Sequence, residues 1–346
     1  MNIDIQNIKN IIIQNYKNNK LPDKEEFIEQ LFAVKSILEN ENKTIRPYDW
    51  NKKPGGLINL KKNISTIIVP DLHGRGDFLL SILCSECTQG KSVLEFLRDN
   101  EIQLVCIGDG MHAESRAIKR WKMAFEEFKK DFRVKKNMTH EMIESFFVMQ
   151  TVILLKTNFP DNFHYLKGNH DNILNENGNG NYPFAKFCYE GSMVEYFVRK
   201  FYGTDFLQAY SDFEKNLPLF CIGENFLISH AQPAIFYSKK DIIQYKKNPD
   251  ITYGLTWTDN GSSQEGTVAQ MLNYYLKDSH YTNKFYFGGH RPVTGQFHLL
   301  NKENFVQIHN PNKFVIVFVK PDREISLDHD IIELKNRIKI IMQSSL

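Results

Sequence analysis

"IIVPDLHGR", residues 67–75, runs three apolar residues of a buried strand straight into Pro70, Asp71 and His73. Ile and Val pack well in a sheet, whereas a carboxylate and an imidazole two positions apart are costly in an apolar core. The pattern recurs. After "LVCI" come Gly108, Asp109 and Gly110; after "FHYLK" come Gly168, Asn169, His170 and Asp171; after "FLIS" comes His230; after "KFYF" come Gly288, Gly289 and His290. Five apolar runs thus end in Asp, Asn or His, four of them with glycine alongside to let the chain turn sharply. In sheets covered by helices, ligands gather beyond the carboxyl ends of the strands, so these five ends are expected to meet in one crevice.

Working outward, the short apolar runs predict strands at 65–69, 102–107, 163–166, 219–222, 226–229, 284–287, 304–308 and 314–319. Helical spacing predicts helices at 2–17, 24–39, 77–83, 91–99, 114–131, 139–156, 192–202, 204–215, 265–277 and 329–343, with Asp23 as the N-cap of the second. "RPYDWNKKPGGLINLKKN" reads as a loop, broken by Pro54, Gly55 and Gly56. Strand and helix alternate, so an α/β or layered α+β domain is expected over 60–325, with a helical flank at 1–59 and a last helix at 326–346.

Composition narrows the partners. The formal net charge of +2 on 346 residues leaves no basic footprint for nucleic acid or an anionic membrane, and neither is expected as a partner. No secretory leader and no run of about 18 uncharged apolar residues is visible, so a soluble, cytoplasmic protein is expected. The five cysteines, an odd number, argue against a disulfide framework. Cys84 and Cys87 spell CxxC without a second pair at metal-binding spacing, and are expected to be ordinary buried thiols.

Carboxylate, imidazole and amide oxygen without thiolate suit Mn²⁺, Fe²⁺ or Zn²⁺. Six such side chains are more than one ion needs, so two ions bridged by one carboxylate are expected.

The ordered motifs "DLHG", "GDG", "GNHD", the lone histidine of "ISHAQP" and "GGH" resemble those of the calcineurin-like metallophosphoesterases. "NFPDNFHYLKGNHD", "LTWTD" (255–259) and "HNPNKF" (309–314) resemble the serine/threonine phosphoprotein phosphatase branch, and the likeness spans about residues 60–320. The resemblance implies a four-layer sandwich, two mixed β-sheets flanked by helices, with the active site at the strand C-terminal ends. It implies that Asp71 and His73 bind one metal, that Asp109 bridges, and that Asn169, His230 and His290 bind the second. His170 would protonate the leaving alkoxide while a metal-bridging hydroxide attacks phosphorus in line.

The chain also departs from that pattern. Where the family carries an Asp that orients the catalytic histidine and an Arg that holds phosphate, "GDGMHAESR" has His112 and Ala113. His112, Arg116, Arg291 and Lys313 are the candidate substrate-binding residues in their stead. Between Asp109 and Asn169 lie 59 residues, nearly twice the family's usual spacing, and the excess forms a basic, aromatic helical insertion at about 112–142. Its Trp121, Phe125 and Phe128 recur at helical spacing and are expected to form a packing face. The expected function is a dinuclear-metal phosphatase acting on phosphomonoesters, phosphoserine and phosphothreonine in proteins among them. Hydrolysis of dinucleoside polyphosphates or another phosphodiester, and a catalytically silent metal-binding scaffold, remain the alternatives.

Overall fold

The computed structural model describes residues 4–84, 90–300 and 304–343. Among these, the strands form two mixed sheets. In the five-stranded sheet β2 (Ser65–Val69), β3 (Ile102–Cys106) and β4 (Phe163–Tyr165) run parallel. β10 (Val315–Val319) pairs antiparallel with β2, and β11 (Ile331–Glu333) closes that edge. The six-stranded sheet has the order β1 (Leu57–Asn59), β5 (Phe220–Ile222), β6 (Phe226–Ser229), β7 (Phe285–Gly288), β9 (Phe305–Gln307) and β8 (His298–Leu300). Within it β6, β7 and β9 are parallel.

The period-two alternation of each strand divides its side chains between two cores. Ile68, Val105, Leu166, Ile228, Phe287 and Val306 meet between the sheets. Ile67, Val69, Leu104 and Cys106 face the opposite way. There they pack under α1 (Ile5–Asn18), α2 (Lys24–Glu39), α3 (Gly76–Leu83), α4 (Val93–Arg98), α5 (Ile118–Lys129), α6 (Lys136–Asn158), α7 (Glu190–Phe201) and α8 (Gly203–Glu214). On the far face of the other sheet, Leu227, Tyr286 and Phe305 pack under α9 (Lys239–Ile243), α10 (Pro249–Thr256) and α11 (Thr267–Tyr275). The result is the expected layering of helices, sheet, sheet and helices.

All eight expected strands form. Asp23 caps α2, accepting from the Glu26 N–H at 3.0 Å. In the insertion Trp121 is fully buried, its Nε1–H donating to the Ala113 carbonyl at 2.6 Å, and the half-buried Phe125 and Phe128 stack with centroids 6.4 Å apart. The rings pack inward, as the spacing predicts. Cys84 is a buried free thiol, and Cys87 lies outside the described residues.

Three differences have physical causes. The 326–346 tail, expected as one helix, is instead α12 (Leu327–Asp330), strand β11 and α13 (Ile338–Gln343). Ile331 and Ile332 pair there with Val317 and Ile316, because an exposed β10 edge is better satisfied by a strand than left open. The segment read as a loop contains β1, and Leu57 and Ile58 are fully buried. Finally α9, α10 and β8 are too short to show a period in sequence.

Candidate metal centre

Because β2, β3 and β4 are parallel, their carboxyl ends deliver Asp71, Asp109, Asn169 and His170 to one rim; β6 and β7 deliver His230 and His290 to the facing rim. Asp109 Oδ2 lies 3.7 Å from His73 Nε2, 3.4 Å from His230 Nε2 and 3.8 Å from His170 Nε2. Asn169 Oδ1 lies 2.9 Å from His230 Nε2 and 3.0 Å from His290 Nδ1. Asp71 Oδ2 lies 3.9 Å from His73 Nε2. All six residues expected as metal ligands, together with His170, therefore share one site.

The backbone is bent to achieve this. His73, Asp109, His112 and His290 all take left-handed φ values, 45°, 52°, 63° and 64°, a strain that persists where the surroundings over-determine it. Two glycines permit the close approach. A Cβ on Gly168 would collide with Asp109 Oδ1 and come within 2.6 Å of its backbone nitrogen. One on Gly289 would collide with Asp71 Oδ1 and meet Ile107 Cδ1 at 2.8 Å.

Two residues of the site escaped the sequence reading. His309, fully buried at the end of β9, places Nδ1 4.0 Å from Asp71 Oδ2 and Nε2 2.7 Å from Glu114 Oε2. Glu114 also stands 3.8 Å from His73 Nε2, and Lys186 holds its other oxygen at 3.1 Å. The signal for His309 was there: it too follows an apolar strand, "NFVQI". No comparable signal marks Glu114, which reaches the site from the insertion.

Behind these side chains, His112 Nδ1 meets His170 Nδ1 at 3.2 Å. Asp171 accepts from the backbone N–H of Gly168 at 2.7 Å and of Asp109 at 3.2 Å, and from Tyr165 Oη–H at 3.0 Å, which locks the β3 and β4 ends together. The Phe184 ring covers His170, centroids 3.7 Å apart.

The residues present fit metal ions. Asp71 and Asp109 are buried, and Asp71 Oδ1, His290 Nε2 and His309 Nδ1 have no hydrogen-bond partner. Buried carboxylates and bare imidazole nitrogens facing one another call for a cation between them. Burial pushes the His73 imidazole down to about 4 and the His230 and His290 imidazoles down as well, keeping them in the neutral form that binds metal. Burial raises the Asp109 carboxyl well above its ordinary range, with neighbouring Asp71 and Asp171 adding to it, and a bound cation would reverse that. Asp71, His73 and His309 form one group whose ligand atoms lie within 4.8 Å of one another; His73, Asp109 and His170 form a second, and Asp71, Asp109 and His230 a third.

The candidate substrate-binding residues are spread around this centre. Arg116 donates to the His73 carbonyl at 3.1 Å, pairs with Glu144 at 2.7 Å and lines a cleft of about 800 Å³ beside Gly74 and Asn312. Arg291, partly exposed next to His290, pairs with Asp259. Lys313 pairs with Glu333 at 2.8 Å, while its carbonyl accepts from Arg75. His112 is buried behind His170.

No family model and no curated protein sequence matches the chain. Among solved structures, it is similar to a protein serine/threonine phosphatase from Saccharomyces cerevisiae with similarity to human phosphatase PP5, at a TM-score of 0.59 and 14% identity over 96% of both chains. It also matches a cold-active protein-tyrosine phosphatase of a Shewanella species, with a TM-score of 0.48 and 14% identity over 87% of this chain and 84% of that one. The first likeness establishes the fold: the chain shares the two-sheet sandwich architecture of the yeast phosphatase.

Proposed function

We propose that the chain is a metal-dependent phosphatase that hydrolyses phosphomonoesters with two divalent ions, phosphoserine and phosphothreonine in proteins being the favoured substrate class. The observation that carries this reading is the position of Asp109 Oδ2, a single carboxylate oxygen between the His73 and His230 nitrogens at 3.7 and 3.4 Å. Asp71, His73 and Asp109 would hold one ion, and Asp109, Asn169, His230 and His290 the other. When bound, two such ions polarise phosphate oxygens and acidify a water.

The chain's own groups do the rest. His170 Nε2 faces the shared carboxylate oxygen at 3.8 Å, where it can hold a proton and hand it to the leaving oxygen. With the hydrogen on His170 Nδ1, His112 Nδ1 would accept it and fix that ring. Arg116 and Arg291 are the guanidinium groups proposed to receive phosphate, each after loosening its present ion pair; His112 and Lys313 stand further back.

Protein reconstituted with Mn²⁺, Fe²⁺ or Zn²⁺ should hydrolyse p-nitrophenyl phosphate, lose that activity to chelator and lose about a hundredfold or more in His170→Ala with metal content unchanged. Faster turnover of bis(p-nitrophenyl) phosphate or diadenosine tetraphosphate would replace the monoesterase reading with a diesterase. Two bound ions without turnover of any of them would make the chain a scaffold.

A further inference from the structure

We infer that His309 is a further metal ligand, joining Asp71 and His73 at the first ion, and that Glu114, anchored by Lys186, is the residue that aims it. This assignment rests on the dinuclear reading and adds a donor beyond the six side chains expected as ligands.

A neutral imidazole has one N–H and one lone pair, and its partners decide which nitrogen carries which. His309 Nε2 lies 2.7 Å from Glu114 Oε2. The other oxygen of Glu114 takes the Lys186 ammonium at 3.1 Å, so both oxygens of this side chain face donors, as a carboxylate requires. An ionised carboxylate only accepts, so the hydrogen sits on Nε2 and the Nδ1 lone pair is free. That nitrogen is buried, has no hydrogen-bond partner and lies 4.0 Å from Asp71 Oδ2. Two ligand atoms at about 2.1 Å from one ion are separated by roughly 3 to 4 Å, so the spacing suits a shared cation. A lone pair facing a carboxylate oxygen is otherwise repulsive.

The surroundings hold this geometry from three sides. Arg75 donates to the carbonyls of Asp71 at 2.7 Å, Asn310 at 2.8 Å and Lys313 at 3.0 Å, pinning the chain after His309 to the chain before His73. Lys186 holds Glu114 Oε1 at 3.1 Å. The arrangement of carboxylate, imidazole and metal is the one that fixes tautomer and orientation at metal-binding histidines. A second imidazole also draws the first site toward ions that favour nitrogen, Fe²⁺ and Zn²⁺ over Mn²⁺.

The test is metal binding rather than turnover. Metal-free wild-type protein should take up two equivalents of Co²⁺ or Zn²⁺ by calorimetry and plasma mass spectrometry. His309→Ala should lose about a hundredfold or more in affinity for one equivalent and leave the other unchanged, and Glu114→Gln should weaken the same equivalent by roughly ten- to a hundredfold. His309→Cys loaded with Co²⁺ should show a thiolate-to-metal charge-transfer band that the wild type lacks; it keeps the question open to test if the alanine variant does not fold. Two wild-type-affinity equivalents in both His309 variants, without that band, would overturn the assignment and leave the dinuclear reading standing. Fewer than two equivalents in the wild type would overturn both.

Discussion

His112 Nδ1 lies 3.2 Å from His170 Nδ1, so one proton lies between two imidazoles buried behind the candidate metal centre. Only one of the two facing nitrogens can carry it, and the rings therefore fix each other's tautomer. Loss of the His112 ring frees His170 to rotate: His112→Ala should lower kcat on the order of tenfold or more with metal content unchanged. His112→Asp, which restores an acceptor, should recover most of that rate. Steady-state kinetics with metal analysis of both variants checks the pair, and equal rates in wild type and alanine variant would refute it.

Gly289→Ala should damage the centre without unfolding the protein. The new methyl would collide with Asp71 Oδ1 and stand 2.8 Å from Ile107 Cδ1, so the carboxylate must turn out of the cluster it shares with His73 and His309. We expect metal affinity to fall roughly tenfold or more, with about 1–3 kcal/mol of stability lost to overpacking. Metal titration and urea unfolding of the metal-free protein measure the two effects separately.

His164 should make the protein acid-sensitive. Both its ring nitrogens are buried without partners in the middle of β4, and burial, reinforced by nearby Lys156, pushes the imidazole down to about 3. The folded chain thus keeps His164 neutral, while the unfolded chain protonates it near pH 6.5. Its contribution is intact above pH 6.5 and is lost progressively as pH falls from 6.5 toward 3. His164→Leu should be close to neutral at pH 7 and should spare on the order of 4 kcal/mol by pH 3, visible as a lower acid-unfolding midpoint.

Arg46 should be the costliest charge to remove outside the site. It donates to Glu41 Oε2 at 2.6 Å, the Gly55 carbonyl at 2.6 Å and the Asn216 carbonyl at 2.7 Å, and Lys156 holds the other Glu41 oxygen. Burial alone would push the Glu41 carboxyl up, but Lys156 and Arg46 outweigh it and hold it down at about 2. Arg46→Ala leaves the buried Glu41 carboxylate to Lys156 alone, empties the donors to the Gly55 and Asn216 carbonyls and breaks the tie between 41–56 and the end of α8, so a loss of about 3 kcal/mol is expected in denaturant unfolding.

Much of this architecture was legible from residues 67–75 and their four echoes. A strand that ends in Asp, Asn or His announces its role locally, because burial pattern and turn chemistry are written within a few residues. That reading named seven of the side chains that meet beyond the strand ends but not His309, although "NFVQI" before it carries the same strand signal. It placed His112, Arg116, Arg291 and Lys313 near the centre but not their partners, since an ion pair such as Arg291 with Asp259 joins residues 32 apart and leaves no trace in spacing.

By itself, then, the sequence determined eight of the strands, most helices and the chemical character of the site. Tertiary structure alone decided the rest. The three-residue strands β1, β8 and β11 exist because a neighbouring edge offers hydrogen bonds, not because their own residues insist on extension. Glu114 acts on His309 across 195 positions only because parallel strands point their carboxyl ends the same way and Arg75 ties two of those ends together. Local sequence sets local conformation, whereas which distant groups meet is settled by how two sheets close on a shared core.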